Sequence, residues 1–305
     1  MVGRYFGDYE GSSSMSMAFA ETNDELGTWI TAIIRDICEG PGNTLQNETH
    51  ERAWEQPLVG FSRGDDLLYE EFKGHVGPYH WTPWEIFTET FPGIEVEPRE
   101  LTVICWVLPQ TSQTKADSRK ETVYPAERWA RSRIYGEAFN NHLRSDLVEV
   151  LEEKGYKAVA PSLSPLWRSK ESERFVYAST WSERHAAYAS GLGTFGLCDG
   201  LITPKGKAMR VGSVVAHVQV SPTQRPYRDH RAYCLFFAQG MCGECMARCP
   251  VGAITERGHD KEKCRRHLRR TAEYVRGSFG FEGYGCGLCQ TDVPCESRVP
   301  IGIER

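Results

Sequence analysis

The chain has no long apolar run. Its longest, Leu101–Leu108, falls far short of the ~20 residues a membrane-spanning helix needs, so no transmembrane segment is expected. The N-terminal stretch MVGRYFGDYEGSSSMSMAFAETN has neither the apolar core of a secretory signal nor a twin arginine, so the expected compartment is the cytoplasm. An excess of positive charge is missing too. A formal net charge of −5 gives no support to bulk binding of nucleic acid or of an acidic membrane. There is no internal repeat beyond two paired cysteine runs, and no long low-complexity tract. The rest of the composition, 40% hydrophobic and 25% charged, is that of a globular chain. At 305 residues it has ample material for one large domain or two smaller ones. Cysteine, in contrast, is abundant and unevenly spread.

Of eleven cysteines, eight lie between Cys234 and Cys295: Cys234, Cys242, Cys245, Cys249, Cys264, Cys286, Cys289 and Cys295. Eight thiolates are what two four-iron clusters need, at four each. The run Cys242-x2-Cys245-x3-Cys249-Pro250 matches the end of the bacterial ferredoxin pattern, in which the cysteine ahead of proline ligates the other cluster. A strict pattern would put the first cysteine at 239, where this chain has Gln239; Cys234 is the nearby substitute. The spacing therefore assigns Cys234, Cys242, Cys245 and Cys295 to one [4Fe–4S] cluster, and Cys249, Cys264, Cys286 and Cys289 to the other. Zinc on Cys242, Cys245, Cys286 and Cys289 is the competing reading, but it leaves four cysteines and the Cys-Pro unexplained. Disulfides need an oxidising compartment, which the missing signal argues against.

Upstream, residues 1–22 read as a loose polar arm. Thr22-Asn23-Asp24 can cap a helix to about Cys38, stopped by Gly40-Pro41-Gly42. Residues 43–100 read as loop-rich, with an aromatic and histidine cluster including His75, His80 and Trp84. The β-branched run LTVICWVL reads as a buried strand, followed by a polar loop from Gln110 to about Thr122. Pro125 opens a helix whose stripe of Phe139, Leu143, Leu147 and Leu151 ends before Gly155. Tyr156–Pro161 reads as a strand, Ser182–Ser190 as a short helix and Arg210–Val220 as a strand, which together suggest an α/β layer.

Residues 191–215, GLGTFGLCDGLITPKGKAMRVGSVV, resemble the corrinoid domain of reductive dehalogenases. There a Gly-rich turn, LITP, an arginine and a Val-rich strand precede a two-cluster module, and epoxyqueuosine reductases have the same order of parts. Residues 175–193, FVYASTWSERHAAYASGLG, look like the segment ahead of that turn in both families, with Glu183-Arg184 at the position of a Glu-Arg pair. The resemblance covers about residues 125–295. It implies a nitroreductase-like, corrinoid-binding α/β domain over residues 101–225, followed by a ferredoxin-like double-cluster domain over 226–305. Residues 1–100, which resemble neither family, would pack on that core. It also implies cobalamin bound base-off, since no Asp-x-His-x-x-Gly motif is present. Electrons would come from a ferredoxin or flavodoxin, pass through the clusters to cobalt, and reduce a small organic substrate.

On this resemblance Gly191, Gly193, Gly196 and Gly200 would let backbone approach a flat macrocycle, with Thr203 of the LITP segment beside them. A plain glycine-rich turn is the alternative. Counting back from Gly191, the aspartate proton donor of the queuosine enzymes is replaced by Tyr177, and the dehalogenases use a tyrosine. A phenol stays protonated at neutral pH, as a donor must; a buried tyrosine capping a strand is the alternative. Arg210 would polarise Tyr177 or hold an anionic group, unless it is a surface ion pair. The chain stops where queuosine enzymes commonly continue into helical repeats for tRNA, so tRNA is not an expected partner, and Leu197 stands where both families usually have a basic residue. A third, cytosolic branch of reductases is the resulting expectation. An electron carrier or corrinoid-reducing activator without its own substrate is the alternative.

Several residues stay open between function and structure. His75, His80 and Trp84 can line a substrate pocket or simply pack. His185 reads as a helix-surface residue. Cys198 can face cobalt or be a core thiol, and Cys38 and Cys105 read as core. The basic run Lys261–Arg270 can dock an acidic electron donor or be a solvated helix face.

Overall fold

The computed structural model describes residues 22–172 and 175–303; the arm expected at 1–22 lies, apart from Thr22, outside them. Helix α1 (Asn23–Glu39) begins with a capping box, in which Thr22 and Glu25 satisfy each other's backbone N–H groups. Residues 43–100, read from sequence as loop-rich, contain strand β1 (Leu58–Arg63) and helices α2 (Leu68–Val76) and α3 (Pro83–Thr90). A second capping box, Thr82 with Glu85, starts α3, with Pro83 in its first turn. The apolar run becomes β2 (Thr102–Pro109), every residue of which is buried. The stretch expected as a polar loop is instead helix α4 (Ser112–Lys120), capped by Thr111. Its sequence, SQTKADSRK, has no apolar stripe to announce it, and it is held by packing. Helix α5 (Glu127–Glu153) follows and buries Phe139, Leu143, Leu147 and Leu151 along one side.

Strand β3 (Ala158–Val159) is short, and the hairpin β4 (Ser169–Ser172) and β5 (Val176–Ser179) lies apart from the main sheet. Helix α6 (Glu183–Ala189) leads into the glycine-rich turn, where β6 (Thr194–Phe195) pairs with β7 (Leu201–Ile202). Strand β8 (Met209–Ala216) returns to the sheet. Beyond it lie α7 (Leu235–Gln239), α8 (Glu244–Ala247), the small hairpin β9 (Ile254–Thr255) and β10 (Gly258–His259), and the long helix α9 (Lys261–Phe279).

The main sheet has four strands in the order β1-β2-β8-β3, each pair antiparallel. Alternation along β2 divides the interior in two. Val103, Cys105 and Val107 face a core shared with α2, α3, α6 and the cysteine-rich segment. Ile104, Trp106 and Leu108 face a second core under α1 and α5. Gly212 stands opposite Trp106 in the register, and any Cβ there would lie 2.5 Å from the indole. The result is a mixed α/β fold with helices on both faces of an antiparallel sheet. Because β1 pairs directly with β2, residues from the first hundred belong to the same sheet as those that follow.

Candidate functional site: two groups of cysteines

Four cysteines from separate parts of the chain line one cavity. Cys234 caps α7, Cys245 lies in α8, and Cys242 and Cys295 come from the flanking loops; Gly196, Lys207 and Phe236 complete much of the wall. Cys242 has a left-handed backbone (φ 79°) and Gly243 a φ of 145°. This sharp turn, costly for a residue with a Cβ, brings Cys242 and Cys245 to the same cavity. Cys249, Cys264, Cys286 and Cys289 are not part of this cavity's lining. Burial pushes the Cys286 thiol up to about 11, and the thiols of Cys264 and Cys249 act on it in the same direction. Cys289 is half-buried, and Cys286 is among the groups acting on its thiol. Ala253 donates its N–H to Cys249 Sγ at 3.1 Å.

Four thiols around one cavity are the donor number that one four-iron cube takes. Among the described residues no three His, Cys, Asp or Glu side chains converge on a single-ion position. A cube asks for something else, since each thiolate binds a different iron. The set expected for zinc is divided, with Cys242 in the first group and Cys286 in the second.

Between the groups sit two residues that spacing did not flag as a pair. Cys198 is 5% exposed, with the thiols of Cys245 and Cys289 within hydrogen-bonding reach. Lys207, 2% exposed, places Nζ 3.4 Å from Cys198 Sγ. Leu197, at the position of a basic residue in the resembled families, is buried; Lys207 supplies a cation to the same neighbourhood from ten residues on. No spacing rule would have found it.

The second group is anchored to the sheet domain. Arg248 donates to the carbonyls of Leu288 (3.3 Å) and Thr291 (3.2 Å) on one side, and of Glu121 (3.0 Å) and Ser118 (3.1 Å) on the other. Gly287, at φ 71°, lies flat against Trp129 of α5, where a Cβ would be 1.9 Å from the indole. Glu296, next to Cys295, is ion-paired with Arg119 of α4.

The glycine-rich turn is closed on itself. The space a Cβ would need at Gly193 is taken by Ile202 O at 2.3 Å, and at Gly191 by Gln224 O at 2.8 Å. At Gly196 it meets Ile202 Cδ1 at 3.2 Å, and at Gly200 it meets Cys198 Sγ at 3.3 Å. Thr203 is fully buried and donates to Gly206 O at 2.7 Å within its own turn. Phe195 is covered by His185 and Tyr188. The close approaches these glycines permit are therefore to the chain's own backbone and side chains.

Tyr177 and Arg210 have different surroundings. Tyr177, on β5, carries Arg265 of α9 over its ring at 4.2 Å, and its carbonyl accepts from Lys261 Nζ at 3.4 Å. Arg210, on β8, pairs with Glu137 of α5 at 3.2 Å. The cation beside Tyr177 is thus Arg265 rather than Arg210, and it comes from the basic run on α9. Glu183 is a structural carboxylate. It accepts from Arg144 at 3.2 Å, from Ser162 at 2.7 Å and from Ser213 at 2.5 Å, while Trp181 donates to Ser213 at 3.0 Å. Arg184 points away and donates to Asp199 O at 2.6 Å.

His75, His80 and Trp84 do not share a wall. His75 is exposed, while Trp84 sits at the surface and donates to Val96 O at 2.9 Å. His80 is buried against Trp181, and burial with Lys73 nearby lowers its pKa to about 4. Among the described residues neither ring nitrogen meets a hydrogen-bond partner. His185 faces inward, against expectation, with its ring between Phe72 and Phe195 and Nδ1 2.7 Å from Ser182 Oγ. Cys38 and Cys105 are buried in the two cores, and burial pushes the Cys38 thiol up to about 12.

No family model matches this sequence, and no curated protein matches it. Among solved structures the chain is similar to an epoxyqueuosine reductase from Bacillus subtilis, at 16% identity and TM-score 0.48, over 92% of this chain and 68% of that one. It is similar to an epoxyqueuosine reductase solved with an epoxyqueuosine-modified tRNA stem loop, at 16% identity and TM-score 0.49, over 92% and 68%. It is also similar to a reductive dehalogenase described in terms of B12-dependent dehalogenation, at 15% identity and TM-score 0.47, over 80% and 30%. The chain thus spans under a third of that dehalogenase's length. Likenesses of this order leave function to the residues themselves.

Proposed function

We propose that this chain is a two-cluster iron–sulfur redox protein that works as a reductase of a small organic substrate. One four-iron cluster is held by Cys234, Cys242, Cys245 and Cys295, the other by Cys249, Cys264, Cys286 and Cys289. The observation that carries the reading is the convergence of Cys234, Cys242, Cys245 and Cys295 on one cavity, with the other four cysteines outside its lining and Cys249, Cys264 and Cys289 all interacting with Cys286. A buried ammonium, Lys207, whose charged neighbours are sulfur, adds support, since buried charge needs a counter-charge. Each cluster, when bound, takes up and releases single electrons.

The chain's own residues do the rest. Eight thiolates bind, and Arg248 and Gly287 fix the second group to the sheet domain. Tyr177 holds the proton for the substrate at its hydroxyl, with Arg265 the cation at its ring. Arg210, beside Glu137, is proposed to hold an anionic group of the substrate. The exposed basic face of α9 suits an acidic donor such as a ferredoxin or flavodoxin.

A corrinoid is what the sequence resemblance adds. At Gly191 and Gly193 the space a Cβ would need is taken by the chain's own backbone, so these glycines serve the packing of the turn itself, and the corrinoid rests on the sequence resemblance alone. The second reading is an electron-transfer protein or an activator that reduces a corrinoid held elsewhere. The test is joint iron and corrinoid analysis of protein purified without oxygen from cobalamin-supplied cells. Full iron with stoichiometric corrinoid supports the corrinoid-dependent reductase, and full iron without corrinoid supports the second reading. Offered to the same preparation, a tRNA stem loop is expected not to bind.

A further inference from the structure

Lys207 is held where a lysine is costly. Its N–H donates to Cys295 O at 2.9 Å, and that of Ala208 to Glu296 O at 3.2 Å. Gly206 before it has φ 83°, and a Cβ there would lie 2.1 Å from Glu296 O, so the backbone at this point is fixed against the Cys295 loop. The side chain then runs inward to Cys198, with Nζ 3.4 Å from Sγ. It lines the same cavity as Cys234, Cys242, Cys245 and Cys295, and the sulfurs of Cys198, Cys295, Cys245 and Cys289 are the charges around it. Cys295 and Cys245 belong to the first cysteine group, Cys289 to the second, and Cys198 reaches Cys245 and Cys289 alike. One ammonium therefore stands between both groups, tethered to a thiol that belongs to neither.

We propose that Lys207 is the internal counter-charge of both thiolate groups and raises the reduction potential of both clusters, with Cys198 as the uncoordinated thiol that holds its ammonium between them. This rests on the two-cluster reading above. A reduced cluster carries one more negative charge than an oxidised one, so a fixed cation nearby favours the reduced form. Hydrogen bonds to sulfur act in the same direction, and net charge and such bonds are among the factors that set these potentials. Lys207 is a positioning residue in this account, since its own proton does not move.

The experiment is a redox titration of the anaerobic holoprotein, followed by electron paramagnetic resonance, with iron counted on each sample. The variants are Lys207→Met, Lys207→Gln as a second neutral side chain that keeps an N–H donor, and Lys207→Arg. In whichever neutral variant retains wild-type iron, both clusters are expected to shift about tenfold toward the oxidised form in their one-electron equilibria, a fall of about 59 mV. Lys207→Arg is expected to stay near the wild type. Unchanged potentials in an iron-replete neutral variant would overturn the proposal, as would a shift confined to one cluster. Loss of iron from both neutral variants, with retention in Lys207→Arg, would overturn it in favour of a purely structural role. A wild type without iron is a different failure, because it removes the two-cluster reading itself.

Discussion

Glu183 shows how a residue flagged in the sequence as part of a Glu-Arg pair serves the fold. Its carboxylate joins α6 to α5 and β8 through Arg144 and Ser213, and Arg144 is only 2% exposed. Removing Glu183 leaves Arg144 paired with Glu137 at 3.3 Å but strips Ser162 and Ser213 of their acceptor, a loss of about 1–3 kcal/mol. Glu183→Ala is expected to lose about that much stability in denaturant unfolding, and an unchanged midpoint would contradict the assignment. His80 makes a pH-dependent prediction. Its folded pKa of about 4 lies below the ~6.5 of an unfolded histidine. The neutral form is therefore favoured by folding, and its contribution is complete above pH ~6.5. As pH falls from there toward 4, stability should drop by up to about 1.4 kcal/mol per unit. His80→Leu should shrink the loss of thermal midpoint between pH 7 and pH 5; an identical loss in the variant would exclude His80 as its source. Tyr177→Phe tests the proposed acid. Positioned acids contribute about 10²–10⁴-fold, so single-turnover reduction of a substrate should slow by that much, with iron content unchanged. Wild-type rates would remove Tyr177 from the chemistry.

At the scale of elements, the crossover between cysteine groups turns on α8. Cys245 and Cys249 lie four residues apart, yet Cys245 faces the first cavity and Cys249 acts on the Cys286 thiol. Cys249→Ala is expected to damage the second cluster and leave the first, so the reduced variant should keep one intact resonance signal; loss of the first cluster instead would overturn the ligand sets. Legibility followed local signal. The helices α1 and α5 were readable because a capping box and a four-residue apolar stripe are local features, and β2 because an unbroken β-branched run has few other destinations. The hydrophilic α4 was not, since nothing in SQTKADSRK marks a buried face, although Thr114 and Ser118 are fully buried. The cysteine groups could be written down from spacing alone. Lys207 could not, because its place beside Cys198 depends on the Gly206 turn against Glu296, a contact ninety residues away in sequence. The glycines at 191 and 193 were legible as close-approach positions, but only the fold shows what approaches them.

For the whole molecule, the sheet domain and the cysteine segment act as one body joined by Arg248, Arg119–Glu296 and Trp129 on Gly287. The first core extends without interruption from Tyr69 and Phe87 to Cys234 and Cys295, so binding at the cysteines is coupled to the packing of the sheet. Loss of the bound groups should therefore lower the stability of the entire chain. The most direct measurement is the content of iron, acid-labile sulfide and zinc in protein isolated without oxygen. Two four-iron clusters predict about eight irons and eight sulfides per chain, with zinc negligible. Stoichiometric zinc in place of iron, or about four irons on a fully folded chain, would contradict the account.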